Sequence, residues 1–252
     1  MNKKSVTCVF VHGWAMNSAV WDECIAKLPD WINVVVVDLP GHGTMADVAV
    51  DTLDDLVQAL IPLVHRPVIW VGWSLGGLAV LRLAELYPQR VAAALVIACN
   101  PCFVRQKNWP SAVDEDVFNQ FSENLNKNQQ KTIQRFLSLQ VKGLPESKQV
   151  VKQLQASLQS RGQASMQALN TGLQLLLETD LRQSLRSIES QLHWLFGGQD
   201  GLVPCSVAKV LQDEYGQDNV VVNAKASHAP FVSHQDDFIE QLLEIAEQFR
   251  SI

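Results

Sequence analysis

The chain has 252 residues, 47% of them apolar, and a formal net charge of −6, enough to bury the core of one large α/β domain. The acidic balance is spread along the sequence and disfavours general nucleic-acid binding. The longest uninterrupted apolar run, VAAALVIAC from Val91, is far short of the roughly 20 residues of a membrane span, so neither nucleic acid nor membrane is an expected partner.

In chain order, the opening MNKKSVTCVFVHG places two lysines before an apolar run too short for a signal peptide, with no small-residue cleavage site after it. The run reads as a strand. Five cysteines, an odd number with no secretory signal, point to reduced thiols in a cytoplasm. VTCVFV (6–11), NVVVVD (33–38), PVIWVGW (67–73) and AAALVIA (92–98) read as buried strands, and DTLDDLVQALIPLV and LGGLAVLRLAELY between them carry helical periodicity. That alternation is the pattern of a parallel sheet covered by helices. Cys99 and Cys102 match C-x-x-C, but the first closes a strand and a proline follows, whereas a redox cysteine opens a helix.

From 103 to 188 strand signals vanish, and Phe118/Phe121/Leu125, Ile133/Phe136/Leu137 and Leu169/Leu173/Leu176 follow one another at helical spacing. This segment is expected to be a helical lid inserted between two parts of one hydrolase core, 1–102 and 189–252. The sheet pattern resumes with QLHWLFGG (191–198) and NVVVNA (219–224), and a final amphipathic helix runs from about His234.

Chemistry concentrates at Gly72-Trp73-Ser74-Leu75-Gly76, a G-x-S-x-G sequence with a strand before it and a helix after it. A strand-to-helix turn that sharp exposes the serine, and side chains two positions away on either side would strike backbone. A serine hydroxyl needs a base to take its proton, and the base needs an acid to fix its tautomer. In such a fold these follow in the order serine, acid, histidine. Asp200, in the glycine-rich turn LFGGQDGLVP, is the favoured acid; Asp38 in VVDLPGHG is its rival, out of order and suited to bracing a turn. His228 in KASHAPFVSH is the favoured base, lying in a loop ahead of the closing helix. His234 is the alternative, expected in the first turn of that helix behind a Ser233/Asp236 capping box. The backbone N–H groups of Leu75 and Trp14 are the expected oxyanion donors. His12 and His42 read as braces of neighbouring turns, and His65 and His193 as residues at element edges. No metal spacing, phosphate loop or dinucleotide fingerprint is present, so no cofactor is implied.

On these residues, together with VHGWAMNSAVW, DLPGHG, VGWSLGGL, QRFLSLQ and FGGQDGLVP, the chain resembles the α/β-hydrolase superfamily and, more narrowly, the pimeloyl-acyl-carrier-protein methyl ester esterases of biotin synthesis. The resemblance implies nucleophile Ser74, acid Asp200 and base His228, oxyanion residues Trp14 and Leu75, and acyl-chain contacts from Phe136, Leu137, Ser138, Leu139 and Gln140. It implies an acyl carrier protein as partner and a cytoplasmic enzyme, expected to be a monomer. Two departures stand out: the opening hairpin usual in the fold is expected to be absent, leaving a sheet edge to protect, and Ala15 stands where relatives often have glycine. Lys131 with Arg135 and Lys148 with Lys152, each four apart, form cationic pairs that suit an acidic carrier; an ordinary solvated face is the plainer alternative. A broad short-chain esterase, a C–C bond hydrolase and a non-catalytic receptor are the competing functions.

Overall fold

The structure, a computed structural model, describes residues 5–250. Strand β1 (Val6–Val11) leads through a 3-10 turn and the short helix α1 (Asp22–Ile25) to β2 (Ile32–Val37). Helix α2 (Leu53–Leu60) opens on a capping box between Thr52 and Asp55 and gives way to a 3-10 turn at Pro62, where proline removes the next amide donor. Strand β3 (Val68–Trp73), helix α3 (Leu75–Leu86) and strand β4 (Val91–Ile97) follow.

Four helices then intervene, α4 (Glu115–Lys127), α5 (Gln129–Leu139), α6 (Ser147–Ser160) and α7 (Met166–Glu178), before the sheet resumes. The closing elements are β5 (Gln191–Gly197), α8 (Ser206–Tyr215), β6 (Val220–Asn223), α9 (Pro230–Ser233) and α10 (Gln235–Phe249).

The six strands lie in the order β2-β1-β3-β4-β5-β6, and every pairing is parallel. Strand β3 is buried along its whole length because helices cover both faces of the sheet, as the unbroken apolar run VIWV anticipates. The chain winds from β1 outward to β2 and then back across to β3, so the sheet has its switch point between β1 and β3. Loops leaving the carboxyl ends of these two strands diverge there and open a crevice, the place where sheets of this kind hold ligands. The register Val11↔Gly72 and Trp73↔Ile97 brings the strand ends level, so the loops after β1, β3, β5 and β6 emerge along one edge.

Two expectations are corrected. His193 sits inside β5, paired opposite Leu95 and 8% exposed, rather than at an element edge, because β5 is an inner strand whose side chains face covering helices. Nor does the Ser233/Asp236 capping box form. Ser233 closes its own helix α9, its hydroxyl bonding Ala229 O at 3.3 Å and the His234 ring at 2.9 Å, while Asp236 turns outward to Lys27 at 3.2 Å. His234 is thus the residue between two helices and not part of a first turn.

Candidate active site

Strand β3 ends at Trp73, and Ser74 takes φ 55° and ψ −117° before α3 begins at Leu75. A non-glycine residue held there stores on the order of 1–3 kcal/mol of strain. The two flanking glycines are what make the turn possible. A Cβ on Gly76 would lie 2.5 Å from the carbonyl oxygens of Val11 and His12, and one on Gly72 2.6 Å from that of Gly76, distances at which no side chain fits. The Ser74 hydroxyl does not cap α3, so it remains available at the positive end of the helix dipole. Neither the Leu75 nor the Trp14 backbone N–H donates to a backbone acceptor among the described residues, and Gly13 beside Trp14 packs within 3.2 Å of Ser74 Cβ once a Cβ is imagined on it.

The acid and the histidine come from the loops after β5 and β6. Asp200 has a fully buried side chain whose Oδ1 accepts the N–H groups of Leu202 at 2.7 Å and Val203 at 3.0 Å. Its Oδ2 lies 2.7 Å from Nδ1 of His228. With both oxygens committed to donors, the carboxylate can serve only as acceptor towards the ring, which places the imidazole proton on Nδ1 and leaves Nε2 as a lone pair. That Nε2 is buried without a partner among the described residues. The backbone of His228 is held from two sides: its N–H donates to Gln140 O at 3.0 Å, and its carbonyl accepts the Trp73 indole N–H at 2.8 Å.

Ser74 and His228 line one cavity, and every other lining side chain is apolar, with Phe103, Phe118, Phe121, Phe136, Leu173 and Leu176 the chief walls. The cavity is narrow, with about 30 Å³ free for the centre of a water-sized molecule, where one water needs about 10–15 Å³. Of the stretch expected to contact an acyl chain, Phe136 is in the wall. Leu137 is buried elsewhere in the helical insertion, Ser138 faces solvent with its hydroxyl on Gln134 O at 3.0 Å, and Leu139 is half-buried. Gln140 is fully buried and reaches the site through its carbonyl. Trp14 stands behind the wall, edge-on to Phe136 at 4.7 Å and hydrogen-bonded to Leu169 O at 2.8 Å. The wall residues Phe118, Phe121, Leu173 and Leu176 show in the sequence as apolar helical stripes, a signal that marks a buried face but not a cavity.

The rival residues are occupied elsewhere. Asp38 accepts Ser18 N–H at 2.6 Å and the Thr44 N–H and hydroxyl at 2.8 Å. Burial pushes its carboxyl up, but these hydrogen bonds outweigh burial and hold its pKa at about 2. His12 donates Nδ1–H to Gly13 O at 2.8 Å and accepts Leu39 N–H at 2.9 Å; burial, with repulsion from His42, lowers its pKa to about 3. His42 bonds Pro40 O at 2.9 Å, and His234 does not line the cavity. Cys99 and Cys102 are both free, and burial pushes both thiols up, the opposite of a redox pair. Lys131, Arg135, Lys148 and Lys152 are exposed on α5 and α6, with no ion pair to a described residue.

Against known proteins, the alpha/beta hydrolase family matches residues 8–241. The pimeloyl-[acyl-carrier protein] methyl ester esterase of Pectobacterium carotovorum is 38% identical over 239 residues, 95% of this chain and 93% of that protein. The protein of the same name from Vibrio cholerae is 39% identical over 238 residues, 94% of this chain and 93% of its own length. Among solved structures, an esterase from Exiguobacterium antarcticum superposes with a TM-score of 0.86 at 18% identity, covering 97% of this chain and 93% of its own. A bromoperoxidase from Bacillus anthracis gives the same TM-score of 0.86 at 18% identity, with the same coverage of 97% and 93%. These two establish a shared fold and nothing finer.

Proposed function

The chain belongs to the alpha/beta hydrolase family, and on that footing we propose that it is a serine carboxylesterase that removes the methyl group from pimeloyl-acyl-carrier protein methyl ester in biotin synthesis. The activity and substrate are those carried in the names of relatives 36–39% identical over most of the chain. The observation that carries the chemistry is the 2.7 Å bond between Asp200 and His228 Nδ1, with an Nε2 that has no partner among the described residues in the cavity that Ser74 also lines.

In this reading Nε2 takes the Ser74 proton as the hydroxyl oxygen attacks the ester carbonyl. The N–H groups of Trp14 and Leu75 receive the negative charge that develops on the carbonyl oxygen, each contributing about 3–4 kcal/mol to the transition state in comparable sites. The tetrahedral intermediate collapses, the C–O bond to the methoxy group breaks, and His228 returns the proton to departing methanol. A water molecule deprotonated by the same ring attacks the acyl-enzyme and regenerates Ser74 with release of the acid. Asp200 stabilises the imidazolium at both stages. The apolar wall suits the methylene chain of a pimeloyl group, and the cations of α5 and α6 suit the acidic carrier and its phosphopantetheine. The 103–188 insertion acts as the lid over the cavity. The reading extends to a cytoplasmic monomer, with which five free cysteines agree; among the described residues no helix is long and apolar enough to cross a membrane.

The test is methanol release from the carrier-linked methyl ester, set against hydrolysis of short p-nitrophenyl esters. A higher kcat/KM for the carrier substrate, lost in Ser74→Ala, is expected. Equal specificity constants for both would favour a broad short-chain esterase, and absence of a fluorophosphonate adduct on Ser74 in folded protein would favour a non-catalytic receptor.

A further inference from the structure

The loop that carries Trp14 has no strand partner of its own. It turns on a 3.3 Å bond from Met16 N–H to Gly13 O and holds Ala15 at φ 61°, a conformation that persists only when the surroundings over-determine it. Asp38 holds Ser18 N–H from the core side at 2.6 Å, and further contacts come from the helical insertion. Asn17 is fully buried, and its Nδ2 donates to Leu158 O at 3.2 Å and to Gly162 O at 3.0 Å. Leu158 lies in the last turn of α6, where carbonyls lack an intrahelical donor, so a core side chain caps a lid helix. The Asn17 Oδ1 meanwhile accepts Ala19 N–H at 3.1 Å, starting the 3-10 turn of its own loop. Next to it Arg161 donates from Nη1 to Ser18 Oγ and from Nη2 to Asp22 Oδ1, both at 2.7 Å. Two adjacent loop residues, Asn17 and Ser18, are thus pinned to two adjacent lid residues, Arg161 and Gly162.

We propose that Asn17 and Arg161 are positioning residues, a clamp through which the end of α6 fixes the loop that aims the Trp14 N–H at the oxyanion. The proposal rests on the reading of Ser74 as nucleophile and of Trp14 as donor. It gives α6 two jobs at its two ends: Lys148 and Lys152 stand near its start, and the clamp closes at its finish. The carrier-docking face and the oxyanion loop are joined by one helix.

Asn17→Ser separates the clamp from simple folding, because serine keeps an acceptor for Ala19 N–H but is too short to span both lid carbonyls. Arg161→Gln loosens the exposed rim, and Arg161→Lys restores the charge. With rates normalised to fluorophosphonate-titrated sites, Asn17→Ser is expected to lower kcat on a small methyl ester about tenfold, and KM to change less than about twofold. Affinity for a trifluoromethyl ketone, whose adduct places an oxyanion in the site, should fall by the same factor as kcat. Arg161→Gln should follow in the same direction, with partial recovery in Arg161→Lys. Parental kcat and ketone affinity in both Asn17→Ser and Arg161→Gln would overturn the clamp, as would a loss of kcat with ketone affinity intact. Turnover surviving in Ser74→Ala would instead overturn the underlying reading of the site.

Discussion

Replacing Asp200 by asparagine changes one atom and should remove most of the activity. Oδ1 of Asp200 accepts two backbone N–H groups, from Leu202 at 2.7 Å and Val203 at 3.0 Å. An asparagine must keep its carbonyl oxygen there, because the flipped amide would set its NH₂ against two donors. Its NH₂ then faces His228 Nδ1, where the carboxylate Oδ2 stood 2.7 Å away. A donor at that position demands a lone pair on Nδ1, so the ring proton moves to Nε2, and Nε2 can no longer take the Ser74 proton. The wrong tautomer costs about 10⁴-fold in kcat in serine hydrolases of this design, about 5.5 kcal/mol of transition-state stabilisation. Volume and the two N–H bonds are retained, so the thermal midpoint should stay within a few degrees. Turnover of a small methyl ester, followed by acid release and normalised to folded protein, measures the loss. A decrease of less than about tenfold in a fully folded Asp200→Asn protein would refute the tautomer argument.

Three further outcomes follow from the same geometry. Ala15 sits at φ 61° and is fully buried, so in Ala15→Gly relief of about 1–2 kcal/mol of left-handed strain offsets a lost methyl and the entropy of glycine. Its urea midpoint should barely move, whereas Ala79→Gly, equally buried in α3, should lose about 2 kcal/mol; equal losses would contradict the strain. His12, whose pKa burial and His42 lower to about 3, binds a proton more readily when unfolded. Its contribution is complete above the free histidine pKa near 6.5 and lost as pH falls towards 3, on the order of 2 kcal/mol by pH 5. Burial pushes His42 and His193 the same way, so urea unfolding no easier at pH 5 than at pH 7 would count against it. Finally, Lys131→Glu with Arg135→Glu should raise KM for the carrier-linked ester about tenfold at low salt and leave small esters alone; equal loss on both substrates would indicate a damaged lid.

The trio proposed to act, Ser74, Asp200 and His228, is legible in the sequence because each member obeys a local or topological rule. Ser74 is marked by glycines whose necessity is steric and close at hand, with backbone oxygens 2.5 Å from any Cβ on Gly76. Asp200 and His228 are marked by position: parallel strands in register discharge their loops at one edge, so residues just past β5 and β6 must lie near the one just past β3. What stays hidden depends on contacts between segments distant in sequence. Nothing in FLSLQ shows that the Gln140 carbonyl anchors the His228 backbone, and nothing around Ser233 reveals that α9 ends there and claims its hydroxyl. The four-residue helices α1 and α9 likewise carry patterns too brief to separate from loop.

The cavity wall shows where reading a periodicity reaches its limit. Phe118 and Phe121 on α4, Phe136 on α5, and Leu173 and Leu176 on α7 are apolar at helical spacing for the same reason as any core residue, since each must leave water. Whether such a face meets another side chain or a substrate depends on how the helices sit over β3, which no single helix encodes. The cavity they line is narrow, so under the proposed function an acyl chain entering it replaces part of the contact these side chains make with one another by contact with its own methylenes. Binding then exchanges one apolar partner for another. On that reading, a substrate with a long methylene chain gains about 0.8 kcal/mol for each buried methylene, against any cost of displacing the wall side chains, while a short ester meets the same cost with little to offset it. Under the proposed function, discrimination by chain length would reside in α4, α5 and α7, and chemistry in the loops of the sheet, with the proposed clamp from Asn17 to α6 the point at which the two meet.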